Sequence, residues 1–204
     1  RHSGGAVPPE TQRAAGRIRS QPRDARRITG RTRVTVVDTL APRYLEVLRT
    51  YMEIQMIELD VVSPDELSVD SDTACVISQY PNFYGYFEDS TEFVRYSHDA
   101  GALAISYVDP IALGMFRPPG DFDVDIVVGE GQSMGMMPMF GGPYVGLFAC
   151  KSEYLRQMPG RIVGRTTDTK GREGYVLTIQ TREQHIRRET ATSNICTSVA
   201  LIAL

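Results

Sequence analysis

Several residue types on which small-molecule and metal chemistry depends are scarce in this chain. Lysine occurs only at Lys151 and Lys170, so any reaction that needs a primary amine has two candidates. Histidine occurs only at His2, His98 and His185, with no HExxH, which argues against metal ligation. The cysteines Cys75, Cys150 and Cys196 stand far apart and form no CxxC. An odd, scattered set fits neither a disulfide framework nor a zinc site, and reads as the reduced thiols of a cytoplasmic protein. No run of ~18 apolar residues predicts a membrane span, and no charged-then-apolar leader opens the sequence. A formal charge of −3 gives no support to nucleic-acid binding.

What remains is the composition of one ordinary globular domain, 42% hydrophobic and 23% charged, long enough to bury a core. The charge is uneven, because the first 33 residues carry nine arginines against Glu10 and Asp24. Residues 1–31 hold almost no aliphatic side chains and no apolar period, so they read as a disordered basic arm. No aromatic residue is interleaved with its arginines, which speaks against a nucleic-acid arm. The start at Arg1 and the uncapped apolar ending "SVALIAL" read as cut ends.

From Thr32 the pattern alternates between strands and helices. "TRVTVVD", "IELDVV", "TACVISQ", "ALAISYV", "DIVV" and "YVGLFAC" are short apolar strand runs. "PRYLEVLRTYMEIQM" places Tyr44, Leu45, Leu48, Tyr51 and Met52 on one helical face, with Pro42 near its start. A second helix around "TEFVRYSHDAG" ends at Gly101, and "SEYLRQM" predicts a third with Ser152 as its N-cap. This order predicts an α/β core over residues 32–160 with a mostly parallel sheet flanked by helices. Residues 161–204 read as a hairpin around Asp-Thr-Lys-Gly and the start of a long helix. Ligands of such sheets collect at the carboxyl ends of the strands. Those ends carry Asp38, Gln79-Tyr80-Pro81-Asn82, Asp109 and Gly129-Glu130-Gly131-Gln132.

"DIVVGEGQSMG" looks at first like a nucleotide loop. Its Gly129, Gly131 and Gly135 form GxGxxxG, one residue longer than the dinucleotide fingerprint, and Met-Met-Pro-Met blocks the helix that would receive a pyrophosphate. A phosphate-cradling P-loop would need Lys where Gln132 stands. Asp109 reads either as a turn aspartate or as an acid poised to pair with a cofactor's ring nitrogen. The second role belongs to pyridoxal phosphate chemistry, which also needs a Schiff-base lysine, and the loop after "DIVV" offers Gln132 instead. In "REQHIRRE", Arg182, His185, Arg188 and Glu189 share one helical side. They form either a solvated face or an internal or interface network.

Taken together, "CVISQYPNFYGYFED", "DIVVGEGQSMG", "FGGPYVGLFA", "MPGRIVGRTTDTKGREGYVLTIQ" and "TREQHIRRETATSNICT" resemble the glycine cleavage system P-protein family, the glycine decarboxylases. The resemblance runs from about Ile28 to Leu204, and the "RTTDTKGREGYVLT" segment is most similar to the separate alpha-type subunit of two-subunit enzymes. It implies part of the large domain of an aspartate-aminotransferase-like, fold type I enzyme. It also implies that the beta-type partner carries the lysine and the pyridoxal phosphate. In this chain Gln132 then takes about the lysine's place and Asp109 the place of the ring-nitrogen partner, both vestigial. No cofactor, metal or catalytic residue is expected here. Tyr80, Asn82, Arg182, His185, Arg188 and Asn194 become candidates for the partner or active-site interface. The complex implied is a heterotetramer that decarboxylates glycine and passes the aminomethyl group to the lipoyl H protein. Residues 1–27 do not match, and methionine at 134, 136, 137 and 139 replaces smaller or aliphatic residues. A self-standing phosphate-binding module and a non-functional truncated remnant are the alternative readings.

Overall fold

The computed structural model describes residues 22, 25–137, 144–158, 162–178 and 200–203. Valine-rich runs form the centre of a six-stranded sheet. Its strands are β1 (Arg33–Val37), β2 (Glu58–Val62), β3 (Thr73–Tyr80), β4 (Leu103–Val108), β5 (Ile126–Glu130) and β6 (Gly146–Cys150). The order is β2-β1-β3-β4-β5-β6, parallel throughout except for β6, which runs antiparallel to β5. Both faces of the central strands are covered. Val34, Val36, Ala74, Cys75, Val76, Ile77 and Ala104 are fully buried, which is why these strands show no polar alternation.

Helix α1 (Pro42–Ile54) starts at a proline whose φ is already helical, and it buries Leu45, Val47, Leu48 and Met52. Tyr44 and Tyr51, expected on the same face, lie half-buried at its margin. Helix α2 (Ser90–Asp99) is capped by the Asp89 carboxylate, which accepts from Thr91 N–H. It ends at Gly101 with φ of 69°, where Gly101 and Ala102 N–H donate to the His98 and Ser97 carbonyls. Phe93 and Val94 of α2 close over Val76, Ala104 and Val124. Burying each large apolar side chain there contributes about 1.5–3 kcal/mol.

Three expectations are corrected. Residues 25–29 are helical rather than a disordered arm, with Ala25 fully buried and Thr29 Oγ1 donating to its carbonyl. Arg31 then donates to the Thr73 and Ala100 carbonyls at 2.9 and 2.8 Å, so this arginine is a clasp on the amino ends of the strands. The "SEYLRQM" helix is only a 3-10 turn, Ser152–Tyr154. Seven residues before a Pro-Gly pair are too few to offset the cost of nucleating a helix. Finally, the chain divides at residue 151 rather than 160, because β6 completes the sheet at Cys150. One unit is Arg1–Lys151 with Val199–Leu204 and the other Ser152–Ser198.

The second unit holds the expected hairpin, β7 (Ile162–Thr167) paired antiparallel with β8 (Glu173–Thr178). Asp168 Oδ1 accepts from Lys170 and Arg172 N–H, and Gly171 supplies the φ of 75° that the turn requires. A short helix α3 (Ala200–Ala203) returns to the first unit.

Candidate functional site

Because β1, β3, β4 and β5 are parallel, their carboxyl ends form one rim, and each polar residue there has a local task. Gln79 Oε1 accepts from Ala41 N–H at 2.9 Å and so fixes the start of α1. Asp109 is exposed, and its Oδ1 accepts from Ile111 N–H at 3.0 Å. That is the turn-aspartate arrangement, one of its two readings from sequence. Gln132 is half-buried and donates from Nε2 to the Met136 carbonyl at 2.8 Å, closing its own turn.

The glycines of the loop serve close approach rather than an anion. A Cβ on Gly129 would stand 2.8 Å from the Val108 carbonyl oxygen of β4. One on Gly131 would stand 2.7 Å from Val145 Cγ1 and 3.2 Å from the Val145 carbonyl. The Gly131 N–H, a group that a phosphate cradle would need free, donates to that carbonyl at 2.7 Å. Among the described residues between β5 and β6, the helical segment is the 3-10 turn Gln132–Met134, too short to present a helix N-terminus to an anion.

Tyr80 and Asn82 are buried at 7% and 5% exposure, so neither is itself a contact surface. Asn82 instead builds one. Its Oδ1 accepts from Tyr84 and Tyr86 N–H at 3.0 and 2.9 Å, its Nδ2 donates to Glu88 Oε1 at 2.6 Å, and its backbone N–H donates to the Tyr86 carbonyl. This holds "FYGYF" in a tight loop with Phe83, Tyr84 and Tyr86 more than half exposed. Phe87 stacks on Phe116 at 3.8 Å between ring centroids, and Met115 stands open beside it in sequence. The result is an apolar aromatic rim larger than scattered surface residues would make. Beneath the rim, Tyr44 Oη and Tyr107 Oη lie 2.9 Å apart, and burial, with the neighbouring Tyr44 second, pushes the Tyr107 phenol well above its ordinary range. Sequence reasoning missed this pair, whose only sign is a tyrosine near the carboxyl end of an otherwise aliphatic strand.

At the opposite, amino end of β5 lies a network that sequence reasoning also missed. Asp125 is 2% exposed. Its Oδ2 accepts from Ala104 N–H and meets His98 Nε2, both at 2.8 Å, and its Oδ1 meets Lys151 Nζ at 2.7 Å. Asp123 adds a second carboxylate 2.8 Å from Lys151. Burial pulls the Lys151 pKa down, but the hydrogen bonds and charges of Asp123 and Asp125 outweigh it and the ammonium form is favoured. Asp123 is held below the usual carboxylate range, chiefly by its hydrogen bond to Lys151. The only other lysine, Lys170, sits at the tip of the hairpin turn. Arg182, His185, Arg188 and Asn194 lie outside the described residues. Among the described residues no group of three or more His, Cys, Asp or Glu side chains could hold a metal ion, and no helix is long and apolar enough to cross a membrane.

Comparison with known proteins places this geometry in context. The model of the glycine cleavage system P-protein family matches residues 21–204. The match thus begins at residue 21, ahead of the Ile28 suggested by motifs, so residues 21–27 are not foreign to the family. Proteins named probable glycine dehydrogenase (decarboxylating) subunit 1 are 51% identical in Desulforamulus reducens and 45% identical in Thermomicrobium roseum. These alignments cover 87% and 86% of this chain and 42% and 41% of the relatives. The chain therefore spans somewhat less than half the length of the curated relatives it matches. A crystal structure of glycine decarboxylase (P-protein) of the glycine cleavage system, in inhibitor-bound form, superposes with a TM-score of 0.88 at 41% identity. The superposition covers 93% of this chain and 45% of that one. The mainly parallel α/β sheet flanked by helices agrees with the architecture expected from the sequence.

Proposed function

The chain belongs to the glycine cleavage system P-protein family, and from that membership we propose that it acts as the non-catalytic, alpha-type part of a glycine decarboxylase. In this reading a beta-type partner binds the pyridoxal phosphate, and the assembly passes the aminomethyl group to the lipoyl H protein. When bound on that partner, the cofactor supplies an electron sink for the carbanion left by decarboxylation.

One observation carries the proposal: the amine and the expected cofactor loop lie at opposite ends of the sheet. Lys151 is at the amino end of β5, engaged by two carboxylates, whereas the carboxyl-end loop offers the Gln132 amide, already bonded to Met136. An amide cannot condense with an aldehyde, and Asp109 is exposed and closes a turn instead of facing a ring. The described residues therefore do not fit pyridoxal phosphate, and no chemical step is assigned to them. Their role is to shape a surface. Asn82 holds the aromatic loop 83–87 rigid at the rim, so a partner meets a preorganised apolar face and loses little loop entropy on docking.

Co-expression with a beta-type subunit tests the role. Co-purification at a fixed ratio, with glycine-dependent carbon dioxide exchange only in the pair, is the expected result. Exchange activity in this chain alone would overturn it.

A further inference from the structure

A cavity of about 230 Å³ opens at the carboxyl ends of β1 and β3. These two neighbours are where the strand order reverses, because β1 leads to β2 on one side while β3 leads to β4 on the other. Such a switch point leaves a crevice between diverging connections, and open α/β sheets place ligands there. The cavity is distinct from the Asp109 and Gln132 loops, neither of which lines it.

Its lining is chemically one-sided. Asp65, Glu88, Asp89 and Glu92 contribute four carboxylates, and no lysine, arginine or histidine lines the space. Asp89 is committed to capping α2, and Glu92 lies 3.9 Å from Arg95, which also reaches Asp99. Glu88 gives Oε1 to Asn82, and Asp65 takes part in no ion pair among the described residues. The remaining wall is aromatic, from Tyr80, Phe93 and Tyr96.

Ser78 makes an independent point. It is 8% exposed, on the same face of β3 as Val76, which packs under α2, and it lines the cavity. Its Oγ makes no hydrogen bond among the described residues. The residue is more than nine-tenths buried, yet its hydroxyl is uncommitted at the cavity wall, where an incoming donor would bond it.

We propose that this cavity binds a small organic ammonium ion, held by the Asp65 and Glu88 carboxylates and Ser78 Oγ, with its alkyl part against Tyr80 and Phe93. Arg95, near Glu92 and 4.5 Å over the Tyr96 ring, offsets only part of the negative charge, and the excess selects a cation. The aromatic rings of Tyr80 and Phe93 favour an alkylammonium over a hydrated metal ion. The volume, below that of a drug-sized site, limits the ligand to on the order of ten heavy atoms, ample for a short alkylammonium. The site is separate from the subunit role proposed above and stands if that role fails.

Two-dimensional amide NMR of the full chain, titrated with n-propylammonium chloride at constant ionic strength, tests it. Saturable shifts at Ser78, Gln79 and Phe93 are expected at millimolar concentrations, with no matching response to 1-propanol. The Asp65→Asn and Glu88→Gln changes together should weaken binding at least roughly fivefold, and Ser78→Ala roughly twofold or more. Glu88→Gln keeps the acceptor for Asn82, and Asp65→Asn alone, at an exposed turn, serves if the double variant misfolds. The proposal fails if no saturable shift appears, if 1-propanol or potassium chloride gives the same shifts, or if the carboxylate variants bind as the parent does.

Discussion

Replacing Asp125 by alanine removes the centre of a buried charge network, and its cost can be built from the contacts. The backbone pairs, Asp125 N–H to the Ala104 carbonyl and Lys151 N–H to the Asp125 carbonyl, survive the change. The Ala104 N–H, in a fully buried residue, loses its carboxylate acceptor, which costs about 1–3 kcal/mol. Lys151 keeps Asp123 and is 27% exposed, so its loss is only about 0.5–1 kcal/mol. His98, 32% exposed, turns to water at a cost of about 0.5 kcal/mol. The sum is about 3 kcal/mol, large against the typical stability of a domain. Asp125→Asn keeps the shape and one acceptor for Ala104 but turns an amide donor toward Lys151, so roughly half that loss is expected. Asp123→Ala, at a 70% exposed side chain, is the comparison and should cost clearly less than Asp125→Ala. The chain has no tryptophan, so urea unfolding is best followed by far-UV circular dichroism. A midpoint for Asp125→Ala within about 0.5 kcal/mol of the parent, or below-parent stability that is worse for Asn than for Ala, would refute the reasoning.

Asn82→Ala should cost about 2 kcal/mol from three lost side-chain hydrogen bonds and should loosen the loop, seen as faster amide exchange at Tyr84 and Tyr86. Gly129→Ala should destabilise by about 1–3 kcal/mol, because the neighbour it meets is a β4 backbone carbonyl that cannot swing away; thermal unfolding reads this directly. Stability should also fall at both extremes of pH. Asp70, Asp123 and Asp168 are depressed below 3.8 in the fold, so the stability they contribute is present above that value and lost as pH drops through the folded values. Lys151 is raised above 10.5, so its contribution is complete below 10.5 and lost only as pH rises through the folded value. Urea midpoints between pH 2 and 12 would show an acid limb that Asp123→Asn weakens and an alkaline limb that Lys151→Met reduces but does not abolish, because the buried Tyr107 phenol and Cys75 thiol, both raised by burial, also favour unfolding at high pH.

The sheet was legible because its central strands are buried on both faces and leave continuous aliphatic runs, as in "TACVIS" and "ALAIS". The antiparallel direction of β6 was not, since an apolar run carries no sign of its polarity. Pro42 and Gly101 marked helix ends through backbone geometry alone, so they could be placed from sequence. The "SEYLRQM" segment could not, because a helical pattern says nothing about whether enough turns follow. At the rim, the absence of an amine after β5 was visible from composition, whereas the task of Asn82 depends on a loop folding back over four residues. The Asp125 network joins residues from α2, β4, β5 and the end of β6, so only the sheet order brings it together. Its one visible sign was an acid set directly against a buried strand in "DVDIVV".

The central claim is that this chain has no amine able to hold pyridoxal phosphate. Mixing the purified chain with the cofactor, reducing with borohydride and mapping the products by peptide mass spectrometry tests it directly. The account predicts no internal-aldimine absorbance and at most trace, non-saturating labelling shared by Lys151 and Lys170. Stoichiometric, saturable labelling of Lys151, with the visible absorbance of a bound cofactor, would contradict it.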